Sequence, residues 1–288
     1  MKHNRRATYH FEDKRRKGKN TALFVIAFVC FSIVLSAVSL LMLWRSYDYD
    51  FGNIVKTPQT SQTDTTAPVT QPVQLTGSAS ILLVHTSEDS KQLRAVNAVM
   101  VELSSGTIKI VPFTADTKTA GGETLEESFL ASGMKGLTAA VSSIDGCVCD
   151  KYVNITDSAL INIIKYLGDL QYTLSSPVSY VTEELAIELP AGEQLLSPET
   201  VLKLVKYNNA VYSSEEASQR NAVLLAAAVN KYYTADIAGK STELYTQLIN
   251  YVQSDISVVD FQNARARLEA FAQSDTRNIA FVADGNNG

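Results

Sequence analysis

The distribution of apolar residues divides the chain into a charge-free run near its start, a polar stretch without period, and a long region where strand and helix patterns alternate. In that region, residues 80–85 (SILLVH) form the short continuous apolar run of a buried strand. Residues 94–117 read as a β-hairpin. An apolar-rich strand runs to Leu103, Ser104-Ser105-Gly106 makes the turn, and residues 107–113 alternate with β-branched side chains. Gly106 supplies the positive φ that a short hairpin loop requires.

Downstream, Leu125, Phe129, Leu130, Met134, Leu137 and Val141 recur at helical spacing over 124–143, interrupted by Gly133 and Gly136. Residues 147–155 read as a strand. Residues 156–170 read as an amphipathic helix, capped by Thr156 or Asp157, with Leu160, Ile163, Ile164 and Leu167 on one face. Strand and loop follow over 171–190, with 182–189 extended. Ser197 as N-cap and Pro198 at the first helical position open a helix to Tyr207. A loop over 208–214 leads into a long helix, 215–233. Helices over 243–252 and 258–272, the second capped by Ser257 with Asp260 three residues on, and a strand over 278–282 complete the pattern. This alternation, without a Gly-rich phosphate loop, predicts a three-layer α/β/α domain with a mixed central sheet, spanning 78–284.

Upstream, residues 21–44 carry no charge, and at 1.5 Å per residue a helix of that length crosses a hydrocarbon core of roughly 30 Å. The run exceeds a signal-peptide apolar region and no clean cleavage site follows, so it reads as an uncleaved transmembrane helix. Residues 1–20 hold eight Lys and Arg against Glu12 and Asp13, a charge of +6, and the rest carries −11 toward the total of −5. The positive-inside rule then makes residues 1–20 a cytoplasmic tail and places everything beyond Trp44 outside. The basic tail reads as a topology signal and anionic-lipid contact rather than a nucleic-acid site. Residues 45–77 are rich in Thr, Gln and Pro, with prolines at 58, 68 and 72, and form a tether.

Cysteine chemistry is sparse. Cys30 lies in the charge-free run, and Cys147 and Cys149 form a lone C-x-C. Two thiols and the single downstream histidine, His85, do not make a zinc site, so Cys147 and Cys149 read first as buried free thiols and second as a redox pair. His85 sits in an apolar run and reads as a core residue rather than part of a Ser-His-Asp triad.

The order of these segments resembles the LytR-CpsA-Psr family, or cell envelope-related transcriptional attenuator domains, over residues 80–283. ILLVH is similar to the family's opening I-L-L-L-G strand, RAVNAVMVEL to R-S-D-T-x-M-L-V-S-I, and IKIVPFTADT to I-x-L-L-S-I-P-R-D-T. LEESFLASG, CDKYVNIT, LSPETVLKLVKY, EEASQRNAVLLAAA and VQSDISVVDF match later family segments in order. The resemblance implies a membrane-anchored phosphotransferase. Such an enzyme moves a glycopolymer from a polyprenyl-pyrophosphate carrier to peptidoglycan, with the lipid in an apolar tunnel and the pyrophosphate held by arginines and Mg²⁺.

Carried over by position, the resemblance implies Arg94 and Asp116 as catalytic residues, Arg94, Lys206 and Arg220 as phosphate ligands, and Glu88 or Asp89 as metal ligands. The family's aspartate in R-S-D-T falls on Val96, its P-R-D arginine on Ala115, and further basic positions on Asn208, Glu216 and Gln219. Arginine's bidentate hydrogen bonding is lost at Ala115, Glu216 and Gln219, and a metal-binding carboxylate is lost at Val96. Three readings follow. In one, the domain keeps the scaffold and binds polyprenyl-linked carrier or wall polymer with weakened or lost catalysis, beside an active paralogue. In another it is an active Mg²⁺-dependent transferase, the metal being needed only then. In the third it is a structural ectodomain. All three place it at the cell membrane, and the first two in cell-wall assembly.

Overall fold

Six strands form the central sheet of a computed structural model that describes residues 75–144, 147–274 and 280–282. The predicted tail, transmembrane helix and all but the end of the tether lie outside the described residues. In chain order the elements are β1 (Ser78–Thr86), β2 (Leu93–Glu102), β3 (Thr107–Phe113), α1 (Leu125–Ser142), β4 (Lys151–Ile155), α2 (Asp157–Leu167), β5 (Leu170–Leu174), β6 (Val178–Val181), β7 (Ala186–Leu189) and β8 (Gly192–Leu196). There follow α3 (Pro198–Val211), α4 (Ser214–Tyr232), α5 (Ala235–Ala238), α6 (Ser241–Leu248), β9 (Gln253–Ser254), α7 (Val258–Gln273) and β10 (Phe281–Val282).

The sheet order is β10-β3-β2-β1-β4-β9. The β1–β2, β2–β3 and β4–β9 pairs are antiparallel, and β1–β4 and β10–β3 are parallel, which makes the predicted mixed sheet. Strand alternation sends Leu82, Val84, Val96, Ala98 and Phe113 to one face, where Leu125, Phe129, Leu137 and Val141 of α1 cover them. Ile108 and Ile110 point the other way, onto Ala222 and Ala226 of α4 and Phe271 of α7. A third cluster joins Ile164 of α2, Leu170 and Leu174 of β5, Leu204 of α3 and Leu224 of α4. Each fully buried side chain of this size contributes about 1.5–3 kcal/mol.

Several boundaries differ from the sequence pattern. Residues 170–196 fold as two small antiparallel pairs, β5–β8 and β6–β7, and β8 has no counterpart in the sequence pattern. The predicted loop at 208–214 is instead mostly helix, since α3 runs to Val211. Asn208, polar enough to suggest a loop, is buried and its amide donates to Asn221 of α4. Strand β4 begins at Lys151 rather than 147. Cys147 and Cys149 precede it as free, buried cysteines, and burial pushes both thiols up. Helix α1 bends at Gly133, whose φ of 61° and ψ of −150° interrupt the helical ladder.

Candidate anion-binding site

The site begins with an irregularity in β2. Along β1 and β2, His85 pairs with Ala95 and Thr86 with Leu93, so Arg94 is the extra residue of a bulge. The bulge resets the alternation. Leu93 packs on the α1 side with Val96 and Ala98, whereas Arg94 joins His85 on the opposite side of the sheet. Bulges commonly re-aim a side chain in this way. Val96, where the resemblance places a metal ligand, is therefore in the core beneath α1. Ala95 and Asn97 are the β2 residues that line the same cavity as His85.

Three donors on three elements converge on Asp157, the first residue of α2. The Arg94 guanidinium grips the carboxylate with both arms, Nε to Oδ1 at 2.7 Å and Nη2 to Oδ2 at 2.9 Å. Lys206 Nζ of α3 lies 3.1 Å from Oδ2, and His85 Nε2 of β1 is 3.0 Å from Oδ1. Asp157 is 8% exposed. Burial pushes its carboxyl up, but hydrogen bonds from His85, Arg94 and Lys206 outweigh this and hold it well below the usual carboxylate range. For His85, burial dominates the attraction of Asp157 and lowers its pKa, so the ring is neutral at pH 7. An ionised carboxylate only accepts, so Nε2 carries the proton and donates. The cluster thus sums to +1.

The start of α2 sets this geometry. Thr156 caps the helix by accepting from Ala159 N–H, and Glu88 accepts from both the N–H and the hydroxyl of Ser158 at 2.9 and 2.8 Å. An asparagine relay fixes the other side. Asn208 donates to Asn221, Asn221 to Asn209, and Asn209 to the carbonyl of Arg94, at 2.8, 2.9 and 2.9 Å.

His85 also lines an apolar cavity of about 170 Å³ between the sheet and α2, α3 and α4, with Leu160, Ile164, Val205 and Leu224 in its wall. The charged cluster therefore abuts that cavity through the imidazole. Arg94 in turn lines an open cleft of about 340 Å³ with Ala115, Asn209 and Tyr212. A second cleft of about 670 Å³ carries Asp116, Glu215 and Glu216.

Of the residues singled out from sequence, the structure brings together Arg94 and Lys206. Arg220 instead pairs with Glu216 one helical turn earlier and lies over the Tyr212 ring, 3.9 Å from its centroid. Asp116 is exposed in the second cleft. Glu88 is held by Ser158, and Asp89 accepts from the Ser87 hydroxyl and the Lys91 N–H. The donor set does not fit a Mg²⁺ ion, because the carboxylate at the cluster, Asp157, is already faced by two cations. Among the described residues, no group of three His, Cys, Asp or Glu side chains is placed to hold a metal.

Asp157 and His85 were missed as site residues. In the sequence Asp157 stands only as a helix-cap candidate and His85 only as a core residue. His85 is indeed buried, yet it is hydrogen-bonded to Asp157. No sequence signal links two residues 72 positions apart on separate elements.

The family model described as "LytR_cpsA_psr family" matches residues 51–286. No match was found among curated proteins. Among solved structures, a protein from Eubacterium siraeum described as a candidate transcription regulator superposes with a TM-score of 0.63 at 16% identity, covering 81% of this chain and 92% of that one. TagV of Bacillus subtilis gives 0.59 at 15% identity, covering 74% and 86%. A LytR-Csp2A-Psr enzyme from Actinomyces oris gives 0.54 at 18%, covering 71% and 80%. At these identities the likeness is one of fold.

Proposed function

The chain belongs to the LytR_cpsA_psr family, and on that premise we propose that it is a membrane-anchored extracellular domain of cell-wall glycopolymer assembly. It binds the phosphate of a polyprenyl-linked carrier or wall polymer without efficient transfer. The observation that carries this reading is the convergence of Arg94, Lys206 and His85 on one anion beside an apolar cavity. That arrangement suits a ligand with an anionic head and an apolar tail. Weak or absent turnover is supported by what surrounds the cluster. Ala115 stands where the resemblance places an arginine, and the donor set does not suit a divalent cation. Phosphoryl transfer needs cations to neutralise charge spreading over the phosphate oxygens, and only two full positive charges stand here.

The test uses the full chain in detergent with a polyprenyl pyrophosphate, with and without Mg²⁺. Binding is expected, without transfer to peptidoglycan above background. Arg94→Ala is expected to weaken binding by about 10- to 100-fold, the loss of a bidentate charge-assisted contact. Turnover that disappears in Arg94→Ala would refute the non-catalytic reading, and absence of binding would refute the whole. For the anchoring, protease added outside intact cells should digest the domain from residue 78 onward while leaving residues 1–20 protected.

A further inference from the structure

The Arg94 fork, the Lys206 ammonium and the His85 N–H come from β2, α3 and β1 and point at one place, and a carboxylate of the same chain already stands there. A guanidinium fork accepts carboxylate and phosphate oxygens alike. The carboxylate also sits at the first residue of an 11-residue helix, where backbone N–H groups favour negative charge. The seat can be approached from solvent: Arg94 lines the open cleft, and the Lys206 side chain is 34% exposed.

We propose that Asp157 is a resident counter-anion that a ligand's anionic group must displace, and that it thereby sets the affinity and charge selectivity of the site. This rests on the reading above that the cluster binds an anion. The physical consequence is an exchange. A singly charged carboxylate entering the seat replaces one like itself and gains little. Pyrophosphate offers more charge and more acceptor oxygens, and it wins. With Asp157 in place the cluster is +1; with a neutral side chain there it becomes +2, and the discrimination relaxes. A residue that merely positioned Arg94 and Lys206 would act with the opposite sign, because its removal would disorder the cations and weaken anion binding.

The experiment is calorimetric titration of the full chain at pH 7 with inorganic pyrophosphate, inorganic phosphate and acetate. It compares wild type, Asp157→Asn, Asp157→Ser, Arg94→Ala and the Arg94→Ala/Asp157→Asn double variant, each checked for a cooperative melt. Wild type should favour pyrophosphate over acetate by about tenfold or more, on the scale of one charge-assisted hydrogen bond. Either folded Asp157 variant should bind phosphate and pyrophosphate about tenfold tighter than wild type, with the gain lost in the double variant. Equal or weaker binding by the folded Asp157 variants, with binding still lost in Arg94→Ala, overturns the counter-anion and leaves the anion site standing. Absence of binding in every folded protein overturns both. The wild-type comparison decides even if the Asp157 variants fail to fold, since equal affinity for acetate and pyrophosphate refutes the exchange.

Discussion

Asp157 and His85 show how one buried contact ties pH to stability. Replacing Asp157 with Ala leaves Arg94 and Lys206 without their shared partner, and removing one member of a buried ion pair costs about 3–5 kcal/mol. Asp116→Ala, on an exposed side chain, should stay within about 0.5 kcal/mol. Urea titration of both variants measures the contrast. The pH dependence has a definite sign. Folded His85 is harder to protonate than the unfolded residue, so its contribution is complete above 6.5 and is lost as pH falls toward its lowered folded pKa. Asp157 behaves likewise in a more acidic window, with its contribution present above 3.8 and lost below as the carboxylate protonates. His85→Gln should flatten the fall in stability just below pH 6.5, while Asp157→Asn should flatten only the acid limb. A pH series of urea midpoints distinguishes them. Arg94 and Lys206 were legible because the family order marked their positions. Asp157 was not, since an aspartate at the start of a helix looks the same in the sequence whether it faces water or two cations.

At the scale of elements, what was legible followed from local chemistry. Ser197 and Ser257 cap α3 and α7 where they were predicted, each accepting from the N–H three residues on, and Asp260 completes the predicted capping box at α7. What was not legible depends on tertiary partners. The bulge at Arg94 exists because Leu93 and Val96 both reach the α1 core, a choice made by packing rather than by the alternation of β2 itself. Strand β8 is only five residues long and is held by pairing with β5. The two glycines that interrupt the apolar pattern of α1 each have a physical basis. Gly133 takes a positive φ, while a Cβ on Gly136 would lie 2.6 Å from the Ser128 carbonyl oxygen. Gly136→Ala should therefore destabilise by about 1–3 kcal/mol, despite alanine's better helix propensity. Gain of stability on chemical unfolding would show that α1 relaxes around the methyl group.

For the whole molecule, the volume of the apolar cavity limits what a tail can occupy. About 170 Å³ is close to an engineered protein cavity of roughly 150 Å³ that admits benzene, so in this conformation it has room for one short branched segment. On the proposed function the carrier's polyprenyl chain has many such units, and the rest would have to enter between α2, α3 and α4, whose apolar side chains now meet there. Each buried methylene contributes about 0.8 kcal/mol, which makes opening of that seam affordable for a long chain and not for a short one. Affinity should therefore rise from inorganic pyrophosphate through geranyl to longer polyprenyl pyrophosphates. Hydrogen exchange in α2 and α3 should become faster as the longer ligands bind. Ala228→Phe projects a ring into the cavity and should reduce every lipid to the affinity of inorganic pyrophosphate, with the unfolding midpoint little changed because the cavity takes up the added volume. A gain that stops after the first isoprene unit, with no change in exchange, would rule out the lipid carrier and leave the wall polymer's phosphate as the ligand.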